Sequence, residues 1–123
     1  MIKVILLVDD DETLLSIESE ALSGFDYRII PCSSGFQALE EFSNNRDIDL
    51  IITDRHMKDV SGDELISQIS KHDRPVPVIL TSGSFLEKDC CDAETRDQTF
   101  LLPKPYRISR LVELIKDIEK KTS

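Results

Sequence analysis

At four points in the sequence, oxygen- or nitrogen-bearing side chains directly follow short apolar runs. Lys3-Val4-Ile5-Leu6-Leu7-Val8 gives way to Asp9-Asp10-Asp11, and Asp49-Leu50-Ile51-Ile52-Thr53 gives way to Asp54. Pro77-Val78-Ile79-Leu80 ends in Thr81-Ser82-Gly83, and Phe100-Leu101-Leu102-Pro103 ends in Lys104-Pro105. Short, nearly continuous apolar runs read as strands buried on both faces, as in a parallel sheet. Ligands of such sheets bind in the crevice outside the carboxyl ends of the strands. Carboxylates from Asp9, Asp10 and Asp54, the Ser82 hydroxyl and the Lys104 ammonium would therefore meet in one small volume. That set suits a divalent cation and a phosphoryl group.

Clustered carboxylates repel one another, which raises their pKa values unless a cation neutralises them. Oxygen-only ligands with room for water favour Mg²⁺, which commonly takes one or two carboxylates plus a phosphate oxygen. Asp54 stands alone at its strand end, as a carboxylate nucleophile forming an aspartyl phosphate would. Phosphoryl transfer then needs in-line positioning and positive charge on the equatorial oxygens. Mg²⁺ and Lys104, a compact cation on a flexible stem, would share that task, with Ser82 donating to a third oxygen. Plainer readings stand beside these: solvated acids in a loop, an ordinary turn at Ser82-Gly83, a surface lysine. Against the last, Pro103 and Pro105 restrain the backbone on both sides of Lys104, and a cis Lys104–Pro105 bond is compatible with the sequence. His56 reads as a rim group whose main-chain carbonyl is the useful atom, and His72 as solvated. Cys90 and Cys91 read as small apolar packing residues rather than a redox pair.

The elements that must position these groups alternate along the chain. Strands are expected at Lys3–Val8, Tyr27–Pro31, Ile48–Thr53, Pro77–Leu80 and Thr99–Pro103. Between and after them come helices over Glu12–Ser23, Ser34–Asn44, Asp63–Lys71, Phe85–Arg96 and Ile108–Lys120. Gly24 would stop the first helix and Ser34 would cap the second. Inward-facing residues are expected at Leu14, Ile17, Ala21 and Leu22 in the first helix, and at Phe36, Leu39 and Phe42 in the second. The third should bury Leu65, Ile66 and Ile69, and the last Leu111, Leu114, Ile115 and Ile118. The helix over 85–96 has a thin apolar face, which predicts the least stable element. Five βα units imply an α/β fold, a doubly wound parallel sheet of order 2-1-3-4-5 with helices on both faces.

With 123 residues the chain fits a single domain spanning 1–123. A net charge of −9 argues against a direct nucleic-acid surface, which needs excess Lys and Arg. The 3 cysteines, two of them adjacent, form neither a disulfide framework nor a zinc motif. No apolar stretch approaches a membrane span and no leader precedes Lys3, so a soluble, cytoplasmic chain with no membrane partner is expected.

Taken in order, Val8-Asp9-Asp10, Asp54 followed by Met57 and Gly62, Ser82-Gly83, and Lys104-Pro105-Tyr106 resemble the receiver domain of two-component response regulators, the CheY-like family. The resemblance covers essentially the whole chain. It implies that Asp54 is the phosphoacceptor, Asp10 a direct Mg²⁺ ligand, and Asp9 a ligand through water. It likewise implies that His56 offers its main-chain carbonyl to the metal, Ser82 is the switch hydroxyl, and Lys104 binds the phosphate. The phosphoryl donor would be a histidine kinase or a histidine phosphotransfer protein in a phosphorelay, with self-catalysed hydrolysis afterwards. Output would come from the helix over 85–96, the fifth strand and the closing helix, shifted as a population. Three positions depart from the family. Lys58 stands where proline is usual, which predicts a more mobile loop; Leu101 replaces the switch aromatic, with Phe100 beside it; and Ser82 replaces the commoner threonine.

Two other classes fit parts of the pattern. Asp9-Asp10-Asp11-Glu12-Thr13 matches the Asp-x-Asp-x-Thr signature of haloacid-dehalogenase-like phosphatases, with Asp9 as nucleophile and Asp11 as acid–base. That family needs an acidic pair after its lysine, whereas here only Glu113, Asp117 and Glu119 of the final helix follow, and Asp54 is left without a task. A binding module of the same fold would have no use for the complete set of acids, hydroxyl and lysine. The motifs do not encode the kinase or the downstream target. A stand-alone regulator, part of a hybrid kinase and the front of a longer protein fused to an output domain would all carry them.

Overall fold

The computed structural model describes residues 1–72, 74–83 and 98–122. In chain order the elements are β1 (Val4–Val8), α1 (Glu12–Ser23), β2 (Arg28–Cys32), α2 (Gly35–Asn44), β3 (Leu50–Asp54), α3 (Gly62–Ser70), β4 (Val78–Ser82), β5 (Thr99–Pro103) and α4 (Ile108–Thr122). The helix expected over 85–96, with Cys90 and Cys91, lies outside the described residues. All strand pairs are parallel, and the sheet runs β2-β1-β3-β4-β5. This is the strand order expected for the doubly wound fold.

Side chains alternate across each strand, so a run buried on both faces feeds two cores. Val4, Leu6 and Val8 of β1 join Ile51, Leu80, Phe42 of α2 and Leu65 of α3 on one face. Ile5 and Leu7 join Ile52, Ile79, Leu22 of α1 and Leu111 and Ile115 of α4 on the other. Full burial of each such side chain is worth about 1.5–3 kcal/mol. With the central strands β1, β3 and β4 buried, the polar groups at their ends are where these strands meet solvent chemistry.

The helices start where hydroxyl and carboxyl side chains satisfy their first amides. Asp11 accepts from the Thr13 and Leu14 amides, Ser34 from Gln37, and Ser61 from Glu64. At the far end of α2, Arg74 donates to the carbonyls of Phe42 and Asn45, and its guanidinium lies 4.0 Å from the Phe42 ring centre. His72 is exposed, as expected, yet its ring also meets Phe42 edge-on at 5.0 Å.

Two helix faces differ from the expectation. Ile17 is 58% exposed and Phe36 is 66% exposed, although the apolar periodicity points both inward. In α1 the buried line is Leu15, Glu18 and Leu22, a stripe that includes a carboxylate and so hides from an apolar count. In α2 the buried line is Gly35, Ala38 and Phe42, whose two small residues let the helix approach and turn Phe36 away. The edge strand β2 runs one residue later than expected and holds Pro31, which an edge tolerates because one side of the strand has no partner. Gly24 does end α1, but in the right-handed region; among the described residues it is Asp26 that has positive φ, at 68°. No helix among the described residues is long and apolar enough to cross a membrane.

Candidate functional site

Each strand end delivers its group as the register requires. Asp9 follows β1 and its amide donates to the Cys32 carbonyl of β2 (3.0 Å). Asp54 closes β3, and Lys104 follows β5, its amide held by the Ser82 carbonyl at 2.7 Å. The Lys104–Pro105 peptide is cis. Carboxylate oxygens of Asp9, Asp10 and Asp54 lie within 4.8 Å of one another. The Lys104 ammonium stands 3.2 Å from Asp54 Oδ2 and 3.8 Å from Asp9 Oδ2. With the Asp54 and Lys104 side chains 13% and 25% exposed, partial exclusion of water strengthens this attraction.

Asp9 itself is buried. Burial pushes its carboxyl above the ordinary value; the Asp11 amide and the Lys104 ammonium oppose the rise, and Asp54 and Asp10 add to it. Repulsion between the acids thus contributes as the sequence suggests, but desolvation is the larger cause.

Oxygen is the only donor type in the cluster, as a hard cation requires. Mg²⁺ holds oxygens at about 2.0–2.1 Å, so ligands on opposite sides stand about 4.2 Å apart. The carboxylate oxygens, no more than 4.8 Å apart, are spread over a comparable distance. The residues therefore fit Mg²⁺.

The loop between β3 and α3 wraps this cluster through its main chain. The Arg55 amide donates to the Thr81 carbonyl (2.8 Å), and the Gly62 amide returns to the Arg55 carbonyl (2.8 Å). The exposed His56 touches Asp54 Oδ1 through its amide at 3.3 Å, a main-chain contact rather than an imidazole one. The Lys58 amide donates to Asp10 Oδ2 at 3.0 Å. A proline at this position would have no N–H to give, so the departure at Lys58 tethers the loop to the cluster instead of freeing it. Asp59 reaches the start of α2, accepting from the Gly35 and Phe36 amides at 3.1 and 3.0 Å. Burial acts to raise the Asp59 carboxyl, but these amides outweigh it and hold the group below its ordinary value.

Ser82 is fully buried at the end of β4. Leu101 lies beside Leu80 in the β4–β5 register and is 42% exposed. Phe100 packs with Leu102 against the α1–α4 core, so it faces away from Leu101 and cannot stand in for a ring at that position.

Asp59 and Glu18 escape a reading of motifs, and so do the capping role of Asp11 and the hydroxyl bond of Tyr106, although both residues belong to motifs. Tyr106 donates to both carboxylate oxygens of Glu18, at 2.8 and 2.9 Å. Burial raises the Glu18 carboxyl; the Tyr106 bond opposes that rise and the Asp9 charge adds to it. Spacing alone held a hint, because Glu18 falls three residues after Leu15 and four before Leu22 on one helical stripe.

The family model for the response regulator receiver domain matches residues 5–116. The chain is 33% identical over 115 residues to the two-component response regulator-like protein PRR37 of Oryza sativa subsp. indica, an alignment covering 89% of this chain and 15% of that protein. It is 30% identical over 118 residues to the two-component response regulator ARR2 of Arabidopsis thaliana, covering 95% of this chain and 18% of that protein. The chain thus spans less than a fifth of the length of these two relatives. Among solved structures, a response regulator receiver domain protein from Clostridium thermocellum superposes with a TM-score of 0.86 at 26% identity, over 98% of both chains.

Proposed function

Because the chain belongs to the response regulator receiver domain family, we propose that it takes a phosphoryl group onto Asp54 and relays that event as a change of conformation. It is a signalling domain whose covalent chemistry is confined to its own carboxylate. The donor is a phosphohistidine on a histidine kinase or histidine phosphotransfer protein. An Asp54 carboxylate oxygen attacks phosphorus, the P–N bond breaks in line, and the leaving imidazole takes up a proton. Hydrolysis later returns the carboxylate and releases inorganic phosphate.

The Lys104 ammonium, already against Asp54 and Asp9, meets the charge that develops on the phosphoryl oxygens. Asp10, Asp54 and the His56 carbonyl would hold Mg²⁺ directly and Asp9 through water, and the ion supplies further positive charge there. Ser82 gives its hydroxyl to a phosphoryl oxygen, which draws the end of β4 and biases β5 and the segment over 85–96. Without a ring at position 101, that bias passes through backbone shifts of β4 and β5 instead of an aromatic swing. The setting is cytoplasmic, where such kinases present their phosphohistidines, with neither nucleic acid nor membrane bound directly by this domain.

The observation that carries this reading is the Lys104 ammonium seated between Asp9 and Asp54, the latter grouped with Asp10. Incubation with acetyl phosphate and Mg²⁺, followed by intact mass and peptide mapping, tests it. The wild-type chain should gain one phosphoryl group on the peptide bearing residue 54, and Asp54→Asn should gain none. A label mapped to Asp9 would favour the phosphatase-like alternative, and an unshifted wild-type mass a binding module.

A further inference from the structure

Glu18 is 5% exposed, and a buried carboxylate in the middle of a helix is costly unless it is bound. Its partner is the Tyr106 hydroxyl, which reaches across from the segment between β5 and α4. Tyr106 follows Lys104 by two residues, with only Pro105 between them. On the other side, the Lys104 amide is pinned to the Ser82 carbonyl at 2.7 Å. The base of the lysine stem is thus anchored at both ends. Leu14, Glu18, Lys104, Pro105 and Tyr106 line one groove. The charges that act on Glu18 include Asp9, Lys104 and Asp54, so the pair borders the acidic cluster.

We propose that Tyr106 and Glu18 form a positioning pair that holds the Lys104 ammonium between Asp9 and Asp54. Lysine is a point charge on four rotatable bonds, and its value at a phosphoryl group depends on where it is kept. A hydrogen bond from α1 to the residue beyond Pro105 supplies that constraint from outside the cluster. Its consequence for phosphoryl uptake rests on the phosphoacceptor reading of Asp54; the constraint itself does not.

Tyr106→Phe, Glu18→Ala, Glu18→Gln and Lys104→Ala test the pair, each checked for native circular dichroism. In metal-free protein, NMR on the lysine ε-methylenes reads Lys104 directly. Its order parameter should fall in Tyr106→Phe and Glu18→Ala, and be kept in Glu18→Gln, whose side-chain oxygen still accepts the hydroxyl. Uptake from acetyl phosphate should fall about ten-fold in the first two variants. Adding Tyr106→Phe to Lys104→Ala should slow uptake no further, because the pair acts through the lysine. An unchanged Lys104 order parameter overturns the proposal, and so does an uptake loss that adds in full to that of Lys104→Ala. A wild-type chain that never labels on Asp54 would sink the phosphoacceptor reading alone, and the NMR comparison would still decide whether the pair holds the lysine. If Glu18→Ala does not fold, Tyr106→Phe carries the test, since it removes one oxygen and keeps the ring.

Discussion

Alanine at Gly62 puts the packing of the loop on Asp54 to a quantitative test. A Cβ there would stand 2.6 Å from the Asp54 carbonyl oxygen, 2.6 Å from Leu80 Cδ1 and 2.8 Å from Arg55 Cα. Ordinary contact begins at 3.4 Å, so the closest pairs must separate by about 0.8 Å (3.4 less 2.6). Two of the three atoms are backbone, one of them belonging to Asp54 itself. The shift must either withdraw the start of α3 or move Asp54, and both strain the Gly62 amide bond to the Arg55 carbonyl. Overpacking of this kind costs about 1–3 kcal/mol, and a weakened hydrogen bond about 1 kcal/mol more. Helix propensity opposes the loss by up to about 1 kcal/mol, because Gly62 opens α3 and no glycine here has positive φ. The net expectation is a loss of about 2 kcal/mol, read as a urea midpoint lowered by roughly 1 M. Slower labelling of Asp54 should accompany it. Gly24→Ala is the control, since its Cβ would meet only the Ala21 carbonyl oxygen, at 3.3 Å, and should change stability by less than about 0.5 kcal/mol. A Gly62→Ala midpoint at or above the wild-type value would refute the steric argument.

Two further outcomes follow from groups outside the cluster. Arg74→Met removes the donors to the Phe42 and Asn45 carbonyls at the end of α2, and should cost about 2 kcal/mol while keeping the apolar stem. Thermal unfolding several degrees lower, with unchanged labelling of Asp54 at the opposite end of the sheet, is the expected pair of results; an unshifted melting temperature would contradict it. Glu18 sets a pH dependence in metal-free protein. Its folded carboxyl binds a proton more tightly than the unfolded one, whose ordinary value is 4.5, because burial outweighs the Tyr106 bond. Its contribution to stability is therefore greatest below that value and falls as pH rises through the raised folded value. Glu18→Gln should abolish this fall, so the variant's urea midpoint gains on the wild type as pH is raised across that window. A difference between the two that stays level from acid to neutral pH would show that the carboxyl is not perturbed.

What could be read from the residues, and what could not, divides along physical lines. Strands were legible because burial on both faces leaves little polar interruption: β1 is an unbroken apolar run, and β3 and β4 are apolar until Thr53-Asp54 and Thr81-Ser82 mark their ends. Since the site's groups follow or close strands, the grouping of Asp9, Asp10, Asp54 and Lys104 was legible with them. Helix faces were harder, because the orientation of a helix depends on what it packs against. In α1, Leu14 and Ile17 offer as good an apolar stripe as Leu15 and Leu22, and the choice between them turns on Glu18 finding a hydroxyl 88 residues away. In α2, close approach through Gly35 and Ala38 outweighs the larger but exposed Phe36.

Main-chain donors were the least legible, because a pattern of side chains does not record where amides point. The absence of proline at position 58 reads, by residue type alone, as a gain in loop freedom. In space the same substitution restores an N–H that lands on Asp10. Asp59 next to it ties the loop to the amides opening α2. A residue whose side chain looks like a loss of rigidity thus contributes a bond through the one group that proline lacks. The loop after Asp54 is held at Asp10 beyond the end of β1, at the start of α2 and at Thr81 in β4. On the proposed reading, a phosphoryl group on Asp54 would meet main-chain contacts as well as side chains, the first being the His56 amide 3.3 Å from Asp54 Oδ1. Through such contacts a change of a few atoms at one carboxylate would be felt by the strands and helices around it.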